Sequence, residues 1–275
     1  MKINISMIKK AFGIVFVSIA FIGCQEMDRP ALGDYPKDQN PVGGPLKFYV
    51  PFDDNTTDPL KFAVDNIRAK FPNDNQFTQT NGITGKGTQG PADHIQKFIA
   101  YSKPNDFAAE AKSFTIAFWE KHNGATKGAE YPFSLPSSNG HWSGGTMMLM
   151  FDGSEIKFVI VDKEMKDPWF VWNEAGLMTS LTDNQWHHCA FVYDASTSAF
   201  TFYKDGIAVS TKIWTDHGNV NLDDTKVAGL RIGSGPGNTP NDWLSNNWLG
   251  SLDQFRMYAT ALSATEVNQL VTGKL

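Results

Sequence analysis

The stretch Trp186-His187-His188-Cys189-Ala190-Phe191-Val192-Tyr193-Asp194, followed by Phe200-Thr201-Phe202-Tyr203-Lys204-Asp205-Gly206, decides the fold. Aromatic and β-branched side chains dominate both runs, and these suit a pleated surface. In the first run one parity holds Trp186, His188, Ala190 and Val192, and the other holds His187, Cys189, Phe191 and Tyr193. Both are largely apolar, so neither face is freely solvated. Phe200 and Phe202 share one face of the second run. The polar segment Asp194 to Ser198 has hairpin length. Asp205-Gly206 closes a tight turn, because glycine accepts positive φ without steric cost. Ile207-Ala208-Val209-Ser210 then starts a third strand. An antiparallel meander buried on both sides predicts a two-sheet β-sandwich.

Two more stretches agree. Ser113-Phe114-Thr115-Ile116-Ala117-Phe118-Trp119-Glu120 alternates Phe114, Ile116 and Phe118 against Thr115, Ala117 and Trp119. Gly250-Ser251-Leu252-Asp253-Gln254-Phe255-Arg256-Met257-Tyr258, with Ala261-Leu262-Ser263, forms a closing strand. Taken in order with the first stretch, these resemble the signature of laminin-G-like domains in the concanavalin A-like jelly-roll superfamily. The resemblance spans residues 46–272. It implies an all-β, two-sheet antiparallel jelly roll with short peripheral helices. It says little about the ligand, since one superfold hosts many functions.

Outward from this core the chain divides into 1–23, 24–45 and 46–275. Lys2, Lys9 and Lys10 precede a charge-free run from Ala11 to Gly23. That run is too short to span a bilayer and suits a signal peptide. Its end, Phe21-Ile22-Gly23-Cys24, resembles a bacterial lipobox, which implies lipidation of Cys24. Glu26 and Asp28 resemble the export signal of surface-exposed outer-membrane lipoproteins. Residues 24–45, with Pro30, Pro36, Pro41 and Pro45, read as a tether. The chain has 24 basic and 29 acidic residues, and losing the three lysines of 1–23 takes the net charge from −5 to −8. Such a surface argues against a nucleic-acid partner, which needs cations to release counterions. Once Cys24 is lipidated, Cys189 has no partner and reads as a small core hydrophobe.

Along 46–275, Leu46 to Phe52 reads as a first strand, with Pro51 pointing to an edge or a bulge. Leu60, Ala63, Val64, Ile67 and Phe71 have helical spacing. Asn81 to Gly90 reads as a loop or as a glycine-marked strand. His94 to Tyr101 reads as a strand, and 121–146 as a polar, Gly-rich insertion. Met147–Phe151 and Ile156–Val161 flank the hairpin signal Asp152-Gly153. Val227 to Gly233 reads as another strand. Ser263 and Glu266 form a capping box that opens a C-terminal helix.

The search for chemistry favours binding over catalysis. The jelly-roll hydrolases that this fold resembles carry Glu-x-Asp-x-x-Glu on one strand, and no such run is present, although glycosidases need paired carboxylates. No Gly-x-Ser-x-Gly occurs either. His187 and His188 are adjacent on a strand, face opposite ways and cannot share a metal; one ring is expected to be buried and hydrogen-bonded. Asp53, Asp54 and Asn55 follow the first strand and Asp253 begins the last; these strands neighbour each other in the resembled family, which implies one structural Ca²⁺ held by Asp53, Asp54 and Asp253 among turn oxygens. The chain has eight tryptophans. Trp119 and Trp186 sit in strand patterns and read as core. The candidates for stacking on sugars are His141 with Trp142, Trp169, Trp172, Asp242 with Trp243, and Trp248. Trp169 and Trp172 are three apart, so at most one serves a groove. The expected function is non-catalytic binding of a glycan or polysaccharide by a lipid-anchored surface protein, beside outer-membrane uptake proteins. The alternatives are a protein–protein adhesion module and a hydrolase or lyase with an unrecognised site.

Overall fold

The computed structural model describes residues 44–53, 71, 75–239 and 241–273. Cys24, Asp54, the segments 1–23 and 24–43, and the helical spacing from Leu60 to Ile67 lie outside the described residues.

The three diagnostic stretches become β5 (Phe114–Lys121), β10 (His187–Asp194) and β14 (Ser251–Tyr258), side by side in one sheet. Around them lie β1 (Leu46–Val50), β2 (Thr78–Asn81), β3 (Lys86–Gln89), β11 (Ala199–Lys204) and β12 (Ile207–Ile213). This eight-stranded sheet runs β12-β11-β10-β5-β14-β3-β2, with β1 also paired to β14. The second sheet is built from β4 (Ile99–Tyr101), β6 (Ala129–Pro136), β7 (Gly145–Asp152), β8 (Glu155–Ile160), β9 (Trp169–Trp172) and β13 (Leu230–Ile232). Its order is β4-β13-β6-β7-β8-β9. Every pairing within the two sheets is antiparallel. Phe118, Phe158, Phe191 and Phe255 interlock between the layers. This is the jelly-roll sandwich that the sequence implies.

The outer face of the eight-stranded sheet is covered over its central strands, while β12 and β2 at its edges stay largely exposed. The helix α3 (Ala264–Gly273) lays Val267 and the preceding Leu262 over Ala117, Ala190, Val192 and Tyr258. Its capping box forms as expected: the Ser263 N–H donates to Glu266 Oε2 at 2.8 Å, and the Glu266 N–H donates to Ser263 Oγ at 3.3 Å. Two further helices among the described residues, α1 (Phe107–Glu110) and α2 (Leu177–Leu181), are single turns whose apolar residues enter the main core. At the Asp205-Gly206 turn both residues have positive φ, +51° and +80°. Asp205 tolerates that region because its carboxylate accepts from the His188 N–H at 2.9 Å.

Several expectations are corrected. Residues 121–146 are not an insertion: β6 lies at the centre of the six-stranded sheet and is buried throughout. Pro132 hides the strand, since it offers no ladder donor, and the register shifts between Glu130 and Phe133 to accommodate it. Two buried polar residues complete the disguise. Glu130 accepts from His122 Nε2 at 2.9 Å, and Ser134 Oγ donates to the Ser234 carbonyl at 2.8 Å. The strand expected over His94 to Tyr101 is confined to Ile99–Tyr101, because the chain before it is held by Asn247, whose Oδ1 accepts from the Ile95 and Gln96 N–H groups. The strand from Leu46 stops at Val50, before Pro51, and the one expected over Val227 to Gly233 is only Leu230–Ile232. Trp186 falls just before β10 and is half-buried. Of the two histidines, the buried His188 has an imidazole with no hydrogen-bond partner among the described residues; the ring packs edge-on against Trp119, with ring centroids 5.2 Å apart. Burial pushes its pKa down to about 3. The half-buried His187 carries the hydrogen bonds, to Asp205 at 2.9 Å and Asp183 at 3.1 Å.

Candidate functional site

The outer face of the six-stranded sheet follows from its register. Val159 on β8 pairs with Trp169 on β9, and Met148 on β7 pairs with Val159. Directly opposed residues project to the same side. The neighbouring row, Phe133, Leu149, Phe158 and Phe170, is sealed in the core, so Trp169 faces out. Trp172, three residues on, turns inward and is fully buried, its Nε1 donating to the Ser210 carbonyl at 3.2 Å.

Two loops bring the other indoles to this face. Between β6 and β7, Asn139 Oδ1 accepts the His141 N–H at 3.0 Å and turns the chain, with Gly140 and Gly144 at φ of +84° and +65°. Between β13 and β14, Asp242 caps the 3-10 turn Trp243–Ser245 by accepting the Leu244 N–H at 3.1 Å. Leu244 then plugs onto Tyr131, Met148, Met150 and Val159. The result is a cluster of three indoles. Trp142 and Trp169 are nearly parallel, with centroids 6.4 Å apart and planes at 6°. Trp243 stands 6.2 Å from Trp142 and 6.5 Å from Trp169, tilted to both. They remain 55%, 40% and 41% exposed for Trp142, Trp169 and Trp243. Indoles that remain this exposed keep flat apolar surface in water, the requirement for stacking on C–H-rich sugar faces.

Polar groups border the cluster. Trp142 Nε1 donates to Asp167 Oδ2 at 3.0 Å, and His141 Nε2 lies 3.6 Å from the same oxygen. His141 is oriented by Ser143 Oγ at 2.9 Å. The Tyr131 ring lies 6.4 Å from Trp243, and its hydroxyl is buried with no partner among the described residues. Of the seven sequence candidates, the structure therefore assembles Trp142, His141, Trp169, Asp242 and Trp243. It removes Trp172 and Trp248, both fully buried. Trp248 looked like a loop residue among asparagines, yet its ring packs at 5.0 Å on Phe151 and 5.1 Å on His122 inside the sandwich. Asp167 and Tyr131 were missed: no motif marks Asp167, and Tyr131 was hidden with β6.

A second cluster lies near the start of β14. Asp253 is fully buried; its Oδ2 accepts the Ile83 N–H at 2.8 Å, and its Oδ1 has no partner among the described residues. Asp53 Oδ1 accepts the Lys86 N–H at 2.9 Å from the same turn. Glycine permits this double approach: a Cβ at Gly82 would fall 2.4 Å from Asp253 Oδ2, and one at Gly85 would fall 2.2 Å from Asp53 Oδ1. Burial, reinforced by the Asp53 charge, pushes the Asp253 pKa up to about 7. Two carboxylates that accept from one turn, one with an orphaned buried oxygen, are a partial donor set for a hard divalent cation, which would draw its remaining oxygens from carbonyls and water. Among the described residues no group of three or more His, Cys, Asp or Glu side chains gathers at metal-binding distance.

Residues 98–268 match a laminin G family model described as the concanavalin A-like lectin/glucanase superfamily. No curated protein matches the sequence. Among solved structures, the chain is similar to an HCR/D tryptophan-to-alanine mutant, with 15% identity and a TM-score of 0.53 over 72% of this chain and 46% of that one. It is also similar to the CBM40 of Ruminococcus gnavus IT-sialidase bound to α2,3-sialyllactose, with 13% identity and a TM-score of 0.50 over 67% of this chain and 95% of that one. The same CBM40, in a second structure, aligns at 12% identity and a TM-score of 0.50, over 67% and 96%. This chain spans less than half the length of the first of these structures. At such identities the likeness is one of fold.

Proposed function

The chain belongs to the concanavalin A-like lectin/glucanase superfamily, and on that premise we propose that it is a non-catalytic glycan-binding protein whose platform is the Trp142, Trp169 and Trp243 cluster. One observation carries the reading: three exposed indoles from three separate chain segments meet on one sheet face. Asp167, His141 and Asp242 lie beside them as partners for sugar hydroxyls. A similar fold solved with α2,3-sialyllactose supports the ligand class.

Asp53 and Asp253 would hold one Ca²⁺, with Asp54 as a further donor. The cation would supply charge that the buried Asp253 carboxylate lacks and would brace the 82–86 turn. Lipidation at Cys24 would place the domain on the outer membrane, facing outward beside uptake proteins that pass polysaccharide inward. Lipid labelling of the wild type but not of Cys24→Ser tests that address.

The test of binding is affinity electrophoresis against a panel of polysaccharides. Trp142→Ala and Trp243→Ala are expected to lose retardation while keeping the wild-type circular dichroism and melting temperature. Retardation that persists in both variants, or reducing ends released over time, would overturn the reading.

A further inference from the structure

The charges around the indole cluster are one-sided. Asp167 accepts the Trp142 Nε1–H at 3.0 Å, and the same oxygen lies 3.6 Å from His141 Nε2. Among the described residues no lysine or arginine pairs with Asp167. Asp242 precedes Trp243 in the chain and gives one oxygen to the Leu244 N–H. On the same sheet face Asp152 stands opposite Glu155, and Met150 opposite Lys157. Lys157 bonds both acids, Asp152 at 2.8 Å and Glu155 at 3.0 Å, so its single charge offsets only one of them. Four carboxylates against one ammonium leave this part of the face at a formal charge of −3. Other cations are engaged or distant. Lys166 bonds Glu164 at 3.1 Å, and Arg231, four strands from Trp169, donates to the carbonyls of Gly235 and Gly237.

That negative field reaches the indoles. The Tyr131 ring lies 6.4 Å from Trp243, and burial raises its pKa; the charges of Asp152 and Asp242 raise it further, with no cation opposing them. A carboxylate or sulfate ligand would enter against this border, whereas a cation would be drawn to it.

The three indole centroids are spaced at 6.4, 6.2 and 6.5 Å, a triangle rather than a stacked column, and their planes lie within 36° of one another. The middle of that triangle is about 3.7 Å from each centroid. A group in van der Waals contact about 3.5 Å above the middle is then about 5 Å from all three. An indole attracts a cation that lies within about 6 Å of its ring centre. One ammonium is thus within reach of three rings, with the Asp167 carboxylate at their edge to pair with it.

We propose that the platform selects a glycan residue carrying an ammonium group, an amino sugar without an N-acyl cap, held over the three indoles with Asp167 as its counter-charge. The proposal rests on the glycan-binding reading above and names its ligand class.

The test follows the indole N–H resonances of the isotope-labelled full chain at pH ~8, where a free imidazole is uncharged. Three trisaccharides are titrated: a glucosamine trimer with its nitrogens trimethylated and so permanently charged, the same trimer N-acetylated, and trigalacturonate. Tetramethylammonium is the fourth ligand. The cationic trimer is expected to move the Trp142, Trp169 and Trp243 resonances and to bind about tenfold more tightly than the N-acetylated one, as a shared, partly desolvated cation contact would give. Asp167→Asn keeps an oxygen for the Trp142 Nε1–H and is expected to shrink that ratio. An N-acetylated or anionic trimer that binds as tightly overturns the ammonium selectivity and leaves the glycan platform standing. A cationic trimer that binds without moving the indoles also overturns it. Tetramethylammonium binding as tightly as the cationic trimer keeps the cation site and sinks the glycan reading instead. Silence from all four ligands sinks both. Should Asp167→Asn displace Trp142, the wild-type comparison decides alone.

Discussion

Asp253→Asn is expected to stabilise the domain in chelator and to weaken it in calcium. The carboxyl is fully buried, one oxygen is held by the Ile83 N–H and the other has no partner among the described residues. Its folded, metal-free pKa is raised to about 7, first by burial and then by Asp53. For a raised pKa the sign is fixed: the contribution to stability is complete below the ordinary carboxylate value near 3.9 and is lost as the pH rises through about 7. At pH ~8 the loss is at most about 4 kcal/mol. Asparagine never ionises and keeps an acceptor for Ile83, but its amide leaves an unpaired donor worth about 1–2 kcal/mol. The net gain is about 2 kcal/mol, or roughly 4–8 °C in melting temperature for a domain of this size. Calcium reverses the order, since a cation at a hundredfold excess over its Kd adds about 2.7 kcal/mol to the wild type and little to the variant. Scanning calorimetry of both proteins near pH 8, with chelator and with millimolar calcium, reads the effect. A wild type indifferent to calcium, with a variant less stable in both buffers, would refute the cation site and leave Asp253 a structural hydrogen-bonder.

The two kinds of tryptophan should separate cleanly. Trp248→Ala opens a cavity in the sandwich and is expected to cost about 3–5 kcal/mol in denaturant titration, whereas Trp142→Ala should leave the midpoint nearly unchanged and remove glycan retardation. His188, with its pKa pressed down to about 3 by burial, contributes stability that is complete above its ordinary value near 6.5 and is lost as the pH falls. His188→Gln should therefore flatten the acid limb of the stability profile; an unchanged limb would show that the ring is not sealed from water. Glu120 is fully buried with both oxygens unpaired among the described residues, and burial holds its pKa well above normal. Its contribution fades as the pH rises above about 4.3, so Glu120→Gln should melt higher than the wild type near pH ~9. Removing the cap by Ser263→Ala is expected to cost about 1 kcal/mol, and an equal melting temperature would count against the observed pair of bonds.

The central strands were legible because period-two patterning and turn chemistry are local properties. Phe114–Lys121, His187–Asp194 and Ser251–Tyr258 carry enough aromatic and β-branched residues to declare themselves, and Asp205-Gly206 and Ser263 to Glu266 mark their own turn and cap. The strand Ala129–Pro136 was not legible, since Pro132, Glu130 and Ser134 break its pattern; Glu130 finds its partner in His122, eight residues back, and Ser134 in Ser234, a hundred residues on. The sequence could also separate Trp169 from Trp172, because opposite parity on a strand requires opposite faces. It could not separate Trp243 from Trp248, which occupy similar Asn-rich contexts five residues apart. Nor could it bring Trp142 to Trp169 and Trp243, or set Asp167 at their edge. Those outcomes depend on which loop folds over which sheet, and that is decided by burial summed over distant segments rather than by any residue and its neighbours.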